Sequence, residues 1–249
     1  MPVFTLSQAR NKIKKEMKTC IIIPTYNEKE NIGALIGGIF NLIPNVLVMV
    51  VDDNSPDKTA DTVLSLKPKF PNLALFSREK KEGLGRAYIG AFLEVLKDKE
   101  IKRIVTMDAD FSHDPRALPP MLEAAERHDL IIGSRYVSGG SIVGWELWRR
   151  ILSRCANFYC RLVTWIPVHD CTAGFQVINT DILRKIDLSK IDSSGYAFLM
   201  ELKYLISKAG ASVKEMPIVF KNRIGGESKI SSHIIREGIF APWKIRIKS

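Results

Sequence analysis

"IKRIVTMDADFSHDP" (101–115) is an apolar run that stops on two aspartates one residue apart, Asp108 and Asp110. A run that ends this abruptly has two physical explanations. The carboxylates can form a solvated turn at a strand end, since turns favour Asp, Ser and Pro. Alternatively they can hold a divalent cation, because residues i and i+2 of an extended chain point the same way. A D-x-D pattern alone does not decide between the two, so the surrounding chain must.

Four further apolar runs share the character of this one: "TCIII" (19–23), "VLVMVV" (46–51), "NLALF" (72–76) and "DLIIG" (129–133). Unbroken apolar runs of this length predict strands buried on both faces, as in a parallel sheet. Helical patterns lie between them at 29–41, 57–66, 84–98 and 115–127. Strand–helix alternation predicts right-handed βαβ units and a doubly wound, mostly parallel α/β sheet. Ligands of such sheets bind beyond the carboxyl ends of the strands. Those ends carry "PTYNE" (24–28), "DDNSPDKT" (52–59), "DADFSHD" (108–114) and "GSRY" (133–136). Charged groups gathered at one sheet edge point to a site. For Asp52 and Asp53 helix capping is the competing explanation, because "DNSPD" contains good cap residues and a proline suited to a first helical turn. "EGLGRA" (82–87) is a weak glycine pattern, read as a tight turn opening a helix, with Gly85 and Arg86 near the ligand.

The chain has 249 residues, 46% hydrophobic and 26% charged, as expected of a globular protein with one large α/β domain or two small ones. Its longest apolar runs fall well short of the ~20 residues of a membrane span. No secretory core segment follows the start. The four cysteines show no C-x-x-C spacing and read as reduced thiols in a cytosolic compartment. The net charge of +10 favours an anionic partner: nucleic acid, an acidic membrane surface or a phosphorylated substrate. Basic residues cluster at both ends, and 1–17 and 241–249 read as basic tails.

"PTYNE", "VVDDNSPDKT", "GLGRAYIGA", "DADFSHDP", "GSRY" and "GWELWRRILSR" (144–154) occur in an order and spacing that resembles the dolichyl-phosphate (polyprenyl-phosphate) mannosyltransferases. These are inverting glycosyltransferases with the GT-A nucleotide-sugar fold. "DCTAGFQV" (170–177), "GYAFLMEL" (195–202) and "RIGGESKI" (223–230) extend the resemblance, which covers 18–240 as one GT-A domain. The chain looks most similar to the soluble eukaryotic catalytic subunit, which lacks the transmembrane segments that some prokaryotic relatives append. The resemblance implies transfer of mannose from GDP-mannose to a polyprenyl (dolichyl) phosphate, with C-terminal amphipathic or interface helices. It also implies a peripheral location on the cytosolic face of a membrane: the endoplasmic reticulum in a eukaryote, the plasma membrane in a prokaryote. Small transmembrane partner subunits are a further partner class, and nucleic acid is not expected.

A growing diphosphate charge suits Mg²⁺ or Mn²⁺ held by carboxylate oxygens. The resemblance puts the metal on Asp108 and Asp110, with Ser112 acting through water where some relatives have glutamine. It puts the donor on Pro24, Tyr26, Glu28, Val51, Asp53, Asp108, Ala109, Asp110, Arg223 and Lys229. Tyr26 would pack on the base, Glu28 would accept from ribose hydroxyls and Asp53 from base N–H groups. It gives the acceptor phosphate to Arg135, Arg149 and Ser153, and the catalytic roles to Asp110, Arg135 and Arg223. A phosphate monoester, with a second pKa of about 6, needs no general base. His113 is therefore read as trimming the carboxylate loop and His169 as a turn residue.

The segment 145–166, "WELWRRILSRCANFYCRLVTWI", has apolar residues at helical spacing with arginines mainly off that stripe. A basic amphipathic helix with Trp and Tyr can lie in a bilayer interface. It can also dock a membrane subunit or pack under the sheet. Two other function classes compete. A Mg²⁺-dependent nucleotidyltransferase usually carries a glycine-rich basic loop after its first strand, where this chain has "PTYNE". A silent nucleic-acid or membrane binder has no need of Asp108, Asp110, Arg135 and Arg223. Within the family, glucose and aminoarabinose transferases share the frame.

Overall fold

The computed structural model describes residues 18–193, 195–222 and 232–248. The basic segment 1–17 and two site candidates, Arg223 and Lys229, lie outside the described residues. The first half alternates as expected: β1 (Thr19–Thr25), α1 (Lys29–Leu42), β2 (Leu47–Asp52), α2 (Thr59–Leu66), β3 (Leu73–Ser77), α3 (Leu84–Leu96) and β4 (Arg103–Thr106). Then come α4 (Leu118–Ala124), β5 (Leu130–Ser134), β6 (Ser141–Val143), α5 (Leu147–Thr164), β7 (Gln176–Asn179) and the short α6 (Thr180–Leu183). The chain continues through α7 (Gly195–Lys208), β8 (Val213–Pro217), β9 (Val219–Lys221) and α8 (Ser232–Lys248).

The main sheet has the order β3-β2-β1-β4-β7-β5-β8. Its strands are parallel except β7, which runs antiparallel to both β4 and β5. Both faces are covered. Cys20 and Ile22 of β1 join a cluster with α3, α7 and the buried side of α8, and Ile21 and Ile23 join one with α1 and α4. Strands buried on both sides explain why the runs carry no polar alternation. The order reverses between β1 and β4, so a crevice opens beyond their carboxyl ends. Because β7 runs the other way, the segment leading into it (170–175) arrives at this same edge.

Three features differ from the sequence reading. The reversed strand β7 and the small parallel pair β6–β9 were not expected. Residues 241–248, expected as a basic tail, are the end of α8. They fold onto the domain because Ala241 and Ile245 are buried in the α3–α7 cluster. Lys248 also bonds the Lys190 carbonyl at 2.5 Å and the Asp192 carboxylate at 2.9 Å.

Candidate functional site

The carboxylate loop after β4 is built by local hydrogen bonds. Asp110 is buried, and its Oδ1 accepts from the Ser112 amide at 3.1 Å. The Asp108 amide donates to His113 Nδ1 at 3.0 Å. His113 is buried, stacked on Phe175 with centroids 5.0 Å apart, and burial lowers its pKa. Its Nδ1 lone pair is therefore occupied by the loop backbone, and the ring stays neutral. This bears out the loop-trimming role read from the sequence. Phe111, between the aspartates and Ser112, has φ 58°, a left-handed conformation rare for a bulky residue and usually found at functional loops.

The Ser112 hydroxyl is buried and has no hydrogen-bond partner among the described residues. A buried hydroxyl left unpaired beside two carboxylates has room in its hydrogen bonding for a water or an ion at the site. Among the described residues, no three His, Cys, Asp or Glu side chains converge as a complete metal cage. Two carboxylates and a hydroxyl with open positions fit a hard cation that keeps water and substrate oxygens as ligands, as Mg²⁺ does.

One cavity of about 330 Å³ gathers this loop with Pro24, Glu28, Arg135 and Arg149. Its walls thus join the ends of β1, β4 and β5 with the first turn of α5. Arg149 packs over Trp145, 3.9 Å from the ring centroid, which fixes its direction. Arg135 is buried and bidentate on Asp170: Nε to Oδ2 at 2.8 Å and Nη2 to Oδ1 at 2.6 Å. Its Nη2 also donates to Thr172 at 2.7 Å. Burial opposes both charges, but each stabilises the other, so the Arg135 pKa is raised and the Asp170 pKa lowered. Arg135, expected to be a free phosphate clamp, is thus a compensated cation with only Nη1 outside this network. Ser153 does not line the cavity; its hydroxyl receives a bond from Tyr136 Oη at 2.7 Å.

Tyr26, Val51 and Asp53 flank the cavity on the β1–β2 side. Val51 lies opposite Pro24 in the ladder, and the Asp53 amide donates to the Thr25 carbonyl at 3.2 Å. Asp53 is paired with Arg78 at 2.6 Å; burial raises its pKa and Arg78 works against that rise. Lys81 covers one face of Tyr26, 3.7 Å from the ring centroid, so a base would use the other face. Neither Asp52 nor Asp53 caps a helix. Asp52 instead closes a turn on the Ser55 amide at 2.9 Å, and α2 begins only at Thr59. Glu28 receives a bond from Asn31 at 3.0 Å. Gly85 is required by packing, since a Cβ there would stand 2.7 Å from the Ser193 carbonyl oxygen.

Sequence reasoning overlooked Arg78, Lys81 and Asp170. The first two follow β3, and neither belongs to a motif quoted from the sequence. Asp170 stands in a quoted motif to which no role was given.

The family described as glycosyl transferase family 2 matches residues 20–187. The polyprenol monophosphomannose synthase of Mycolicibacterium smegmatis is 41% identical over 238 residues, 94% of this chain and 89% of that protein. The undecaprenyl-phosphate mannosyltransferase of Micrococcus luteus is 40% identical over 223 residues, 90% of this chain and 91% of that protein. The dolichol-phosphate mannosyltransferase of Pyrococcus furiosus is 36% identical over 89% of this chain, which spans 61% of that longer protein. Among solved structures, glucosyl-3-phosphoglycerate synthase from Mycobacterium tuberculosis with Mn²⁺, UDP and glucosyl-3-phosphoglycerate superposes with TM-score 0.68 at 15% identity. That match covers 99% of this chain and 85% of the other. The same enzyme with Mg²⁺ and UDP gives 0.67 at 14% identity, covering 99% and 85%. At such identity the likeness is one of fold, and it bears out the expected GT-A architecture.

Proposed function

Since the chain belongs to glycosyl transferase family 2, among the polyprenyl-phosphate mannosyltransferases, we propose that it transfers mannose from GDP-mannose to a polyprenyl monophosphate with inversion. The observation that carries this reading is the single cavity that joins the Asp108–Asp110 edge to Arg135 and Arg149. Acidic groups on one wall and cations on the other suit two phosphate-bearing substrates, one of them metal-bound.

The proposed donor lies across β1 and β2. Tyr26 offers its open face to the base, Glu28 accepts from the ribose, and Asp53 accepts from base N–H groups. Arg78 holds Asp53 in place. Pro24, Val51 and Ala109 supply the backbone wall. Asp108, Asp110 and, through water, Ser112 would hold Mg²⁺ or Mn²⁺, which when bound stabilises the charge growing on the leaving diphosphate.

The acceptor phosphate is oriented by Arg149, with Arg135 behind it as a fixed charge; Ser153, outside the cavity lining and bonded by Tyr136, is not assigned to it. A phosphate oxygen attacks the anomeric carbon from the side opposite the nucleotide. The new C–O bond forms as the bond to the β-phosphate oxygen breaks, and the electron pair leaves with GDP. The nucleophile is already anionic near neutral pH, so no protein base takes part. That agrees with a buried His113 whose Nδ1 is occupied. Arg223 and Lys229, which lie outside the described residues, keep their assignment to the donor, and Arg223 its catalytic role.

Membrane access is assigned to α5 and α8. Trp165 and Ile247 are 75% and 81% exposed, and Phe158, Leu162, Phe240 and Trp243 are exposed on the same two helices. The helices are tied together: Tyr159 Oη donates to the Ile239 carbonyl at 2.8 Å, and Arg246 to the Val163 carbonyl at 2.7 Å. These side chains are not in the core; the segment 145–166 packs on the domain through Cys160, Val163 and Ile166 and leaves this apolar stripe exposed, which supports an interface role. Among the described residues, no helix is long and apolar enough to cross a membrane. The exposed apolar side chains of α5 and α8 support peripheral membrane binding, and the cytosolic leaflet is the proposed side.

The test is product analysis with mannose-labelled GDP-mannose and a polyprenyl phosphate. Label in a lipid-phosphate sugar, with release of GDP, is the expected result. Nucleotide in the lipid product would indicate nucleotidyl transfer, and turnover with a glucose donor alone would correct the sugar.

A further inference from the structure

Behind the cavity, the strap 170–174 is pinned by side chains from four elements. Asp170 is held by Arg135 at the end of β5. The Thr172 amide donates to Asn157 Oδ1 of α5 at 3.1 Å. The Ala173 carbonyl accepts from Lys203 Nζ of α7 at 2.6 Å, and the Gly174 carbonyl from the Thr106 hydroxyl of β4 at 2.6 Å. The far side of the strap abuts the carboxylate loop: a Cβ on Gly174 would lie 3.6 Å from the His113 ring and 3.7 Å from an Asp108 oxygen.

Lys203 is the anomalous pin. It is 0% exposed, and its hydrogen bonds go only to carbonyls among the described residues, those of Ala173 and of Leu199 at 3.4 Å. Both of these residues line the cavity. Any neutral donor could hold a carbonyl, whereas a buried ammonium is costly to desolvate. The charged and titratable groups facing it are Asp170 and Cys171 on the strap, Arg135 beyond β5 and Cys160 on α5. Asp170 is already matched by Arg135 through two bonds, so Lys203 is a second cation on one carboxylate. Burial lowers its pKa to about 8.

We propose that Lys203 is a positioning residue whose ammonium holds the Asp170–Gly174 strap in the shape that admits a metal-bound nucleoside diphosphate, and whose charge favours that anion from behind the cavity. The nature of the anion rests on the donor reading above. A neutral Lys203 amine still donates one bond to Ala173. Rising pH therefore removes the charge alone, while Lys203→Met removes both the charge and the bond.

The test has two arms on the full chain. In the first, lysine labelled with ¹³C at Cε is titrated by NMR, with Lys203 assigned through Lys203→Met, and the backbone amides of Thr172, Ala173 and Gly174 are followed. A Lys203 midpoint clearly below that of the surface lysines, shared by those amides, is expected. A Lys203 that titrates with the surface lysines, or strap amides that do not follow it, overturns the proposal whatever binds. In the second arm, GDP with Mg²⁺ is titrated calorimetrically at neutral and alkaline pH. Native affinity should fall on the order of tenfold across the Lys203 midpoint, the size one unit charge exerts across roughly 10 Å of protein. Lys203→Met should bind weakly at both pH values with an undiminished unfolding temperature. Equal GDP affinity for native and variant at neutral pH overturns the proposal. Strap amides that follow Lys203 in a protein that binds no GDP would uphold the strap's dependence on the ammonium and sink the donor reading instead.

Discussion

Asp110 is nearly buried and already closes a turn on the Ser112 amide with one oxygen. Asp110→Asn keeps that turn and loses only the charge, so it separates loop structure from cation binding. It should fold normally and lose on the order of 100-fold or more in metal-dependent turnover, about 2.7 kcal/mol of transition-state stabilisation. Rates measured against metal concentration check this, and near-native turnover would remove Asp110 from the metal site. Asp170 carries a different weight, because two buried cations depend on it. Asp170→Asn should destabilise the fold by about 3–5 kcal/mol, as breaking a buried pair does, read from urea unfolding. The carboxylate pair was legible in the sequence because it ends a strand. Asp170 and Lys203 were not, because their partners are 35 and 30 residues away along the chain and no local pattern records such pairing. Asp53 was legible as a site residue, but its Arg78 partner, 25 residues on, was not.

Helix α5 shows the opposite case, an element whose role is written in its periodicity. Asn157, Cys160, Val163 and Thr164 are its buried side, and the residues that remain exposed are bulky and apolar with arginines among them. With α8 beside it, the apolar surface is larger than 145–166 alone suggests. A basic protein with such a face should co-sediment with anionic lipid vesicles, and less so at high salt. Leu162→Glu combined with Phe240→Glu should abolish co-sedimentation at low salt while leaving the unfolding temperature nearly unchanged, since both positions face solvent. A protein that stays in solution with pure vesicles would point instead to recruitment by a membrane subunit. The long strands and helices of the first half were legible for the same periodic reason. Strand β7 was not: four residues carry too little pattern, and its direction is set by pairing with β4 and β5.

The stability of the whole molecule should depend on pH through the same buried charges. Asp170 has its pKa lowered from 3.8, so its stabilisation is complete above that value and is lost as pH falls through the folded pKa. Lys203 is lowered from 10.5 to about 8, so between those values the unfolded chain binds the extra proton and stability rises with pH. Below about pH 8 the full cost of the buried ammonium is present. Lys203→Met should therefore gain on the order of 1–3 kcal/mol at neutral pH, with the gain vanishing in strong alkali, as measured by unfolding across pH. The reversed strand β7 has a consequence for how the chain is made. The first four strands end at Thr106, and Asp108 and Asp110 follow at once, but the strand that closes beside them begins only at Gln176. A ribosome adding about 5–20 residues per second needs several seconds to cross that interval. During it, β4 leaves one sheet edge unpaired, the kind that invites pairing with another chain, and the carboxylate loop waits without the 170–174 strap that packs against it. The order of translation therefore makes the completion of the sheet a late step, in which β7 must be inserted between two strands made before it and β8 is added outside β5 afterwards.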